Sequence, residues 1–372
     1  MSKPKYLFID DENGSSEKST LNGFNDTNII EVERFDLSHF RDFGKLKIEL
    51  KRAFKNKEFD GLIIDLRLDG SGEDRTEFNA VAITSELRSI SARGDIKYFP
   101  IVICSTQKKI EQTYNSDRTS HDLFDYKLSK SNSNHNWNKI STKLKSLANG
   151  YNWLQETNRE TNKILGLENT VNIDERVLEK FSTLSVAYDY THFIINDFFH
   201  QTTPLISEKI LAARLGIDLK ETPENVWEEI SLSVLEDIRY KGLFGDGWKR
   251  WWADDLNDWF KNISGERLAF LNAQKRVKIL TEKTGLKEIY YATPLKYCNS
   301  SEFWSICEGY KVPIDPIEGF KISTTADLKP WQESKVLSLI AILEREGFND
   351  RGLRPHISEK NRIKFTKEEL EI

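Results

Sequence analysis

Tyr6-Leu7-Phe8-Ile9-Asp10-Asp11 and Gly61-Leu62-Ile63-Ile64-Asp65 are short apolar runs, each closed by aspartate. Pro100-Ile101-Val102-Ile103-Cys104-Ser105 and Lys127-Leu128-Ser129-Lys130 repeat the pattern and end in a hydroxyl and an ammonium. Short β-branched runs of this kind read as strands buried on both faces of a parallel sheet. Ile29-Ile30-Glu31-Val32-Glu33 supplies one more strand. Helical patterns lie between them, one with Leu46, Leu50 and Phe54 on a face and one with Val81, Leu87 and Ile90. The alternation predicts an α/β domain over residues 1–150, a doubly wound sheet of five parallel strands. In such a sheet the site lies at the carboxyl ends of the strands. Asp10, Asp11, Asp65, Ser105 and Lys130 are therefore expected at one edge.

Composition narrows the function classes. The chain has 372 residues, long enough for two or three domains, and a net charge of −5. That balance argues against nucleic acid as a large-scale electrostatic partner. Three cysteines without a CxxC pair suggest a reducing compartment and no disulfide framework. Met1-Ser2-Lys3-Pro4 leads straight into a strand without a signal-peptide core, and no run is long enough to span a bilayer. These features predict a cytoplasmic protein with no membrane partner.

The edge residues suit one chemistry. Two adjacent carboxylates and a third on a nearby strand form a hard oxygen site fit for Mg²⁺, which keeps several waters. Asp65 can act as a nucleophile toward a phosphoryl donor and become an acyl phosphate. A cation and a lysine ammonium neutralise charge on the transferring group. A hydroxyl at Ser105 can donate to the arriving phosphoryl oxygens.

Ile9-Asp10-Asp11-Glu12, Ile64-Asp65-Leu66-Arg67-Leu68, the run ending Cys104-Ser105-Thr106, and Phe124-Asp125-Tyr126-Lys127-Leu128-Ser129-Lys130 resemble the receiver domain of bacterial two-component response regulators. The resemblance covers roughly the first 130–150 residues and implies a flavodoxin-like fold. It implies Asp65 as phosphoacceptor, and Asp10, Asp11, Asp65 and the carbonyl of Arg67 as Mg²⁺ ligands. It makes Ser105 the switch hydroxyl and Lys130 the lysine of the site, with Lys127 as its rival because the strand register is open. Tyr126 or Lys127 lies near the position of a switch aromatic. A histidine kinase or another phosphodonor is the implied partner. The sequence departs from the family in four places. Ser131 stands where proline usually follows the lysine, and Thr106 where a smaller residue is common. Residues 13–18 read as a loop, so the first helix should be short or missing, and the loop from Asp69 to Glu77 is long and acidic.

Ile140, Leu144, Leu147, Tyr151 and Leu154 form a helical stripe that passes Gly150. The first domain should therefore join the second through a continuing helix, over 137–165. Residues 151–372 read as a mostly α-helical output domain resembling no family. Val177, Phe181, Leu184, Ala187, Ile194 and Phe198 predict one helix. Thr222 (N-cap) and Pro223 (N1) start another, with Trp227, Ile230, Val234 and Ile238 on its face and Gly242 as its stop. Trp248, Trp252, Leu256 and Trp259 predict a third, and Val336, Ile340 and Leu343 a last one. Residues 289–330 read as irregular or β, and the tail from Arg351 as charged and mobile at its end.

Other constellations read as structure. His192 and His200 are about 12 Å apart on an ideal helix, too far to share a metal. The tryptophans around Lys249-Arg250 read as core before stacking surface. Cys298, Cys307 and His356 lack the flanking motif of a thiol catalyst, and Asp315-Pro316 reads as a turn.

The leading expectation is a phospho-signalling protein whose receiver regulates a helical output domain with a protein partner. Its setting is a bacterial stress or phage-defence pathway, by association alone. Two rivals stand beside it: a degenerate receiver serving as an interaction scaffold, and a receiver-regulated enzyme with its active site in the C-terminal domain. Oligomeric state stays open.

Overall fold

The computed structural model describes residues 3–10, 15–37, 40, 42–66, 68, 78–106, 123–130, 136–168, 173–200, 202, 204–323 and 328–372. By compactness the chain divides into two units. The first comprises Met1–Thr170, Leu178–Ile195 and Lys241–Trp248, and the second Val171–Val177, Asn196–Tyr240 and Lys249–Ile372.

The first unit holds β1 (Lys5–Ile9), α1 (Ser15–Asn25), β2 (Glu31–Phe35), α2 (Phe43–Lys55), β3 (Gly61–Ile64), α3 (Ala80–Ala92), β4 (Ile101–Ser105), β5 (Tyr126–Ser129) and α4 (Trp137–Glu156). The strands pair in parallel in the order β2-β1-β3-β4-β5. That is the order of flavodoxin-like doubly wound sheets, receiver domains included. β3 and β4 are buried at every residue, as strands covered on both faces must be. β2, at the edge, alternates charge and apolar and exposes Glu31, Glu33 and Arg34. It runs two residues later than the sequence suggests, because its register with β1 starts at Lys5↔Glu31.

The first helix corrects an expectation. α1 is present and has 11 residues. Its buried face is Glu17, Thr20 and Phe24, spaced by three and four, so only one apolar residue marks it. Glu17 pairs with Arg34 of β2.

α4 carries the predicted stripe: Leu144, Leu147, Tyr151 and Leu154 are all buried. It passes Gly150 but ends at Glu156, where Thr157 turns to extended backbone, so the helix over 137–165 is two pieces. Arg159 sits at φ 53°, and α5 (Thr161–Leu165) follows.

A buried cluster braces the amino ends of β4 and β5. The Arg88 guanidinium of α3 donates to Asp125 at 2.7 Å and to the Phe99 carbonyl at 2.8 Å. Asp125 also accepts from the Ile101 amide at 2.7 Å and from the Tyr151 hydroxyl at 2.6 Å. Burial pushes the Tyr151 phenol well above its ordinary pKa. Tyr151→Phe leaves one Asp125 oxygen without this donor and should cost about 1–3 kcal/mol in urea unfolding. An unchanged midpoint would show that the bond contributes nothing.

Beyond the α5 helix, α6 (Glu175–Ser182) and α7 (Ala187–His192) replace the single predicted helix, with a wide turn over Phe193–Phe198. Asp189 explains the break. It accepts from the Ser185 and Val186 amides and so starts a new helix there.

The second unit is helix-rich. It contains α8 (Glu208–Leu215), α9 (Glu224–Glu228), α10 (Ala253–Ser264), α11 (Ala273–Thr284), α12 (Leu339–Leu343) and α13 (Lys360–Glu369). Two small sheets accompany them, one of four strands and one of two. Its helices differ from the sequence pattern in several places. α9 is capped at Pro223, one residue late, and Thr222 instead accepts from the Tyr290 amide. The Trp227–Ile238 stripe changes pitch twice and ends at Ile238, before Gly242. Trp251–Trp252 is extended and pairs antiparallel with Leu205–Ile206, so α10 starts only at Ala253. Val336–Leu337 is likewise a strand, and Ser338 caps α12 after it. Adjacent bulky residues that satisfy a helical spacing also satisfy a short buried strand, and tertiary pairing decides. The charged tail is helical over Lys360–Glu369.

Trp251 is fully buried and donates to the Ser231 carbonyl at 2.9 Å, while Trp252 is 7% exposed. They belong to the interior, as the core reading holds. Asp315 caps a turn by accepting from the Ile317 amide.

Candidate phosphoryl-acceptor site

Register brings the strand-end residues together. Ile9 lies beside Ile64, and Ile64 beside Ile103. The next residues of β1 and β3, Asp10 and Asp65, therefore leave the sheet side by side. The Asp65 amide still donates to the Ile9 carbonyl at 2.9 Å. Ser105 pairs with Ser129, and the Lys130 amide donates to the Ser105 carbonyl at 2.7 Å. Asp10, Asp65, Ser105 and Lys130 thus meet at the carboxyl edge. Asp11 and Arg67 lie outside the described residues.

The Lys130 ammonium bridges the two carboxylates, at 2.6 Å from Asp10 Oδ2 and 2.9 Å from Asp65 Oδ2. Its side chain is 4% exposed and both carboxylates are fully buried. Burial works against the ammonium's charge, but attraction to Asp65 and Asp10 and hydrogen bonds to both prevail. Lys130 therefore titrates well above an ordinary lysine. Its rival Lys127 lies within β5 and is exposed. The period-two alternation of the strand aims it away from the face that Leu128 fills.

Among the described residues, the Lys130 ammonium pairs with two buried carboxylates at this edge. A hard divalent cation beside Asp10 and Asp65 would find hard carboxylate oxygens as ligands. The Ser105 hydroxyl, fully buried, finds no hydrogen-bond partner among the described residues. An anionic oxygen placed beside Asp65 would give it one. The donor set therefore fits Mg²⁺ and a phosphoryl group. Beneath it, burial pushes the Cys104 thiol up to about 12, so that sulfur is inert.

One cluster escaped sequence reasoning, the brace of Arg88, Asp125 and Tyr151 at the opposite end of the strands. Its signal in the sequence was an acidic residue, Asp125, directly before the strand Tyr126–Ser129.

Fold and edge define the class: the first unit is a doubly wound α/β domain with the receiver topology and an acidic site at the carboxyl ends of its strands. No family model matches the chain, and no curated protein matches it. Among solved structures it is similar to the crystal structure of the phosphorylated cyanobacterial phytochrome response regulator RcpA. That likeness has 15% identity, covers 40% of this chain and 94% of the other, and has a TM-score of 0.22. The fold assignment rests on strand order and register.

Proposed function

We propose that the first unit is a Mg²⁺-dependent phosphoryl-accepting receiver that regulates the helix-rich second unit. The observation that carries this reading is the buried triad of Asp10, Asp65 and Lys130 beside the Ser105 hydroxyl, which has no hydrogen-bond partner among the described residues. An Asp65 carboxylate oxygen attacks the phosphorus of a phosphohistidine or small acyl phosphate. A new P–O bond forms, the donor's bond to phosphorus breaks, and the leaving group takes the electron pair and then a proton. Asp10 and Asp65, with Asp11 and the Arg67 carbonyl, would hold Mg²⁺, which screens the phosphoryl charge. Lys130 pairs with one phosphoryl oxygen, and Ser105 turns its hydroxyl to another.

The partners are then a histidine kinase or another phosphodonor and a protein target of the second unit. A cytoplasmic setting fits a chain of 372 residues with three cysteines and no CxxC pair. A bacterial stress or phage-defence role remains an association of this architecture.

A second reading draws on the same triad. Three groups at most 4% exposed and mutually paired also make a self-sufficient structural unit, as a docking module without phosphotransfer would need. Intact-mass measurement with acetyl phosphate separates the two. A receiver gains one phosphoryl group with Mg²⁺ and none with EDTA. A docking module gains none while an established receiver in the same buffer does.

A further inference from the structure

Residues 241–248 belong to the first unit, although the chain on both sides of them belongs to the second. Their two ends are pinned in the second unit: the Tyr240 amide donates to the Arg250 carbonyl at 2.9 Å, and Arg239 bridges Trp251. The segment is therefore an arm with a closed root.

Its tip has a shaped seat. The Leu243 amide donates to the Ile164 carbonyl at 2.7 Å. Phe244, 3% exposed, lies against Gly150 of α4 so closely that a Cβ on Gly150 would stand 2.1 Å from its ring. A Cβ on Gly247 would in turn stand 2.9 Å from Ser146 and 3.0 Å from Lys143. Gly150 thus interrupts the helical stripe in order to admit a ring. Phe244 is held at φ 66°, a conformation that a bulky residue adopts only where its surroundings over-determine it. Trp248, 6% exposed, packs edge-on against Tyr126 at 5.9 Å between ring centres. The Lys143 ammonium lies over both rings, at 4.9 Å from Tyr126 and 5.3 Å from Trp248.

Tyr126 opens β5, and Lys130 follows its last residue. Four residues of strand, about 13 Å, join the arm's seat to the ammonium that bridges Asp10 and Asp65. β5 is bonded along its length to β4, whose last residue is Ser105. β5 thus forms a continuous path from Lys130 and Ser105 to the surface under Trp248.

We infer that residues 241–248 are a cis-docked arm that occupies the β5–α4 face and whose seating is coupled through β5 to the candidate site. The occupant of this face is the protein's own chain.

Amide hydrogen exchange of the full chain tests this. Gly150→Ala favours the helix by about 1 kcal/mol while denying Phe244 its place. It should speed exchange over 241–248 at least tenfold and leave the amides of α4 protected. Asp65→Asn, which leaves the fold at least as stable as wild type, should change exchange of the Leu243 and Trp248 amides at least threefold. The Ile101 amide, at the far end of β4, should keep its rate. Unchanged exchange over 241–248 in Asp65→Asn, or an equal change at Ile101, overturns the coupling. Phosphoryl gain on the same samples is read separately by mass. An arm that answers Asp65→Asn in a protein that never gains mass sustains the coupling and removes the proposed function.

Discussion

Lys130→Met lowers the stability of the protein by about 3–5 kcal/mol at neutral pH, the cost of leaving buried charge without its partner. The size follows from the burial of the three groups. One ammonium, 4% exposed, serves two carboxylates that are fully buried. Methionine keeps most of the volume, so the loss is of charge and hydrogen bonds rather than packing. Equilibrium urea unfolding measures it, and a loss below about 1 kcal/mol would mean that water reaches the carboxylates. The pH dependence has a definite sign. Lys130 titrates higher in the folded state than in the unfolded chain. Its contribution is therefore complete below the unfolded value of about 10.4 and is lost as pH rises through the folded one. The gap between wild type and variant should stay level from neutral pH to about 10 and close only above it. Millimolar Mg²⁺ should recover part of the loss in Lys130→Met, because a cation that binds the folded carboxylates stabilises by mass action.

The first unit was legible because buried parallel strands write themselves as unbroken apolar runs. The polar residue that ends each run marks the sheet edge, and register then sets Asp10 against Asp65 and Ser105 beside Lys130. α1 was not legible, since Glu17 and Thr20 occupy buried positions through an ion pair and short-range packing that composition conceals. In the second unit the period of the apolar residues misled. Trp251 and Trp252 stand next to each other in a strand of two residues, too short to show alternation. Wide and tight helical turns over 229–238 also depart from the 3.6-residue period. The arm at 241–248 left almost no trace. Gly150 was visible as a weak interruption of a helix, but only the Phe244 ring against it gives the reason.

Asp65→Asn abolishes the gain of a phosphoryl group and leaves the fold at least as stable as wild type. The two halves of this prediction have one cause. Two buried carboxylates lie against the Lys130 ammonium, and their like charges repel each other. An asparagine at 65 removes one negative charge yet keeps an oxygen that can accept from Lys130 at the position of Oδ2, now 2.9 Å away. Urea unfolding should therefore show no loss, and a small gain where repulsion outweighs the weakened ion pair. Chemistry responds in the opposite direction. An amide oxygen is too weak a nucleophile to displace the donor's leaving group, so mass addition from acetyl phosphate with Mg²⁺ falls to background. Asp10→Asn retains the nucleophile and loses charge beside the metal, and should slow addition roughly a hundredfold without preventing it. Placing the charge where it destabilises the fold and serves transfer is what distinguishes a working acceptor from an inert ion triad. If Asp65→Asn still gains a phosphoryl group, another residue is the acceptor. If it is destabilised by several kcal/mol while wild type never gains mass, the triad is structural and the docking-module reading replaces the receiver.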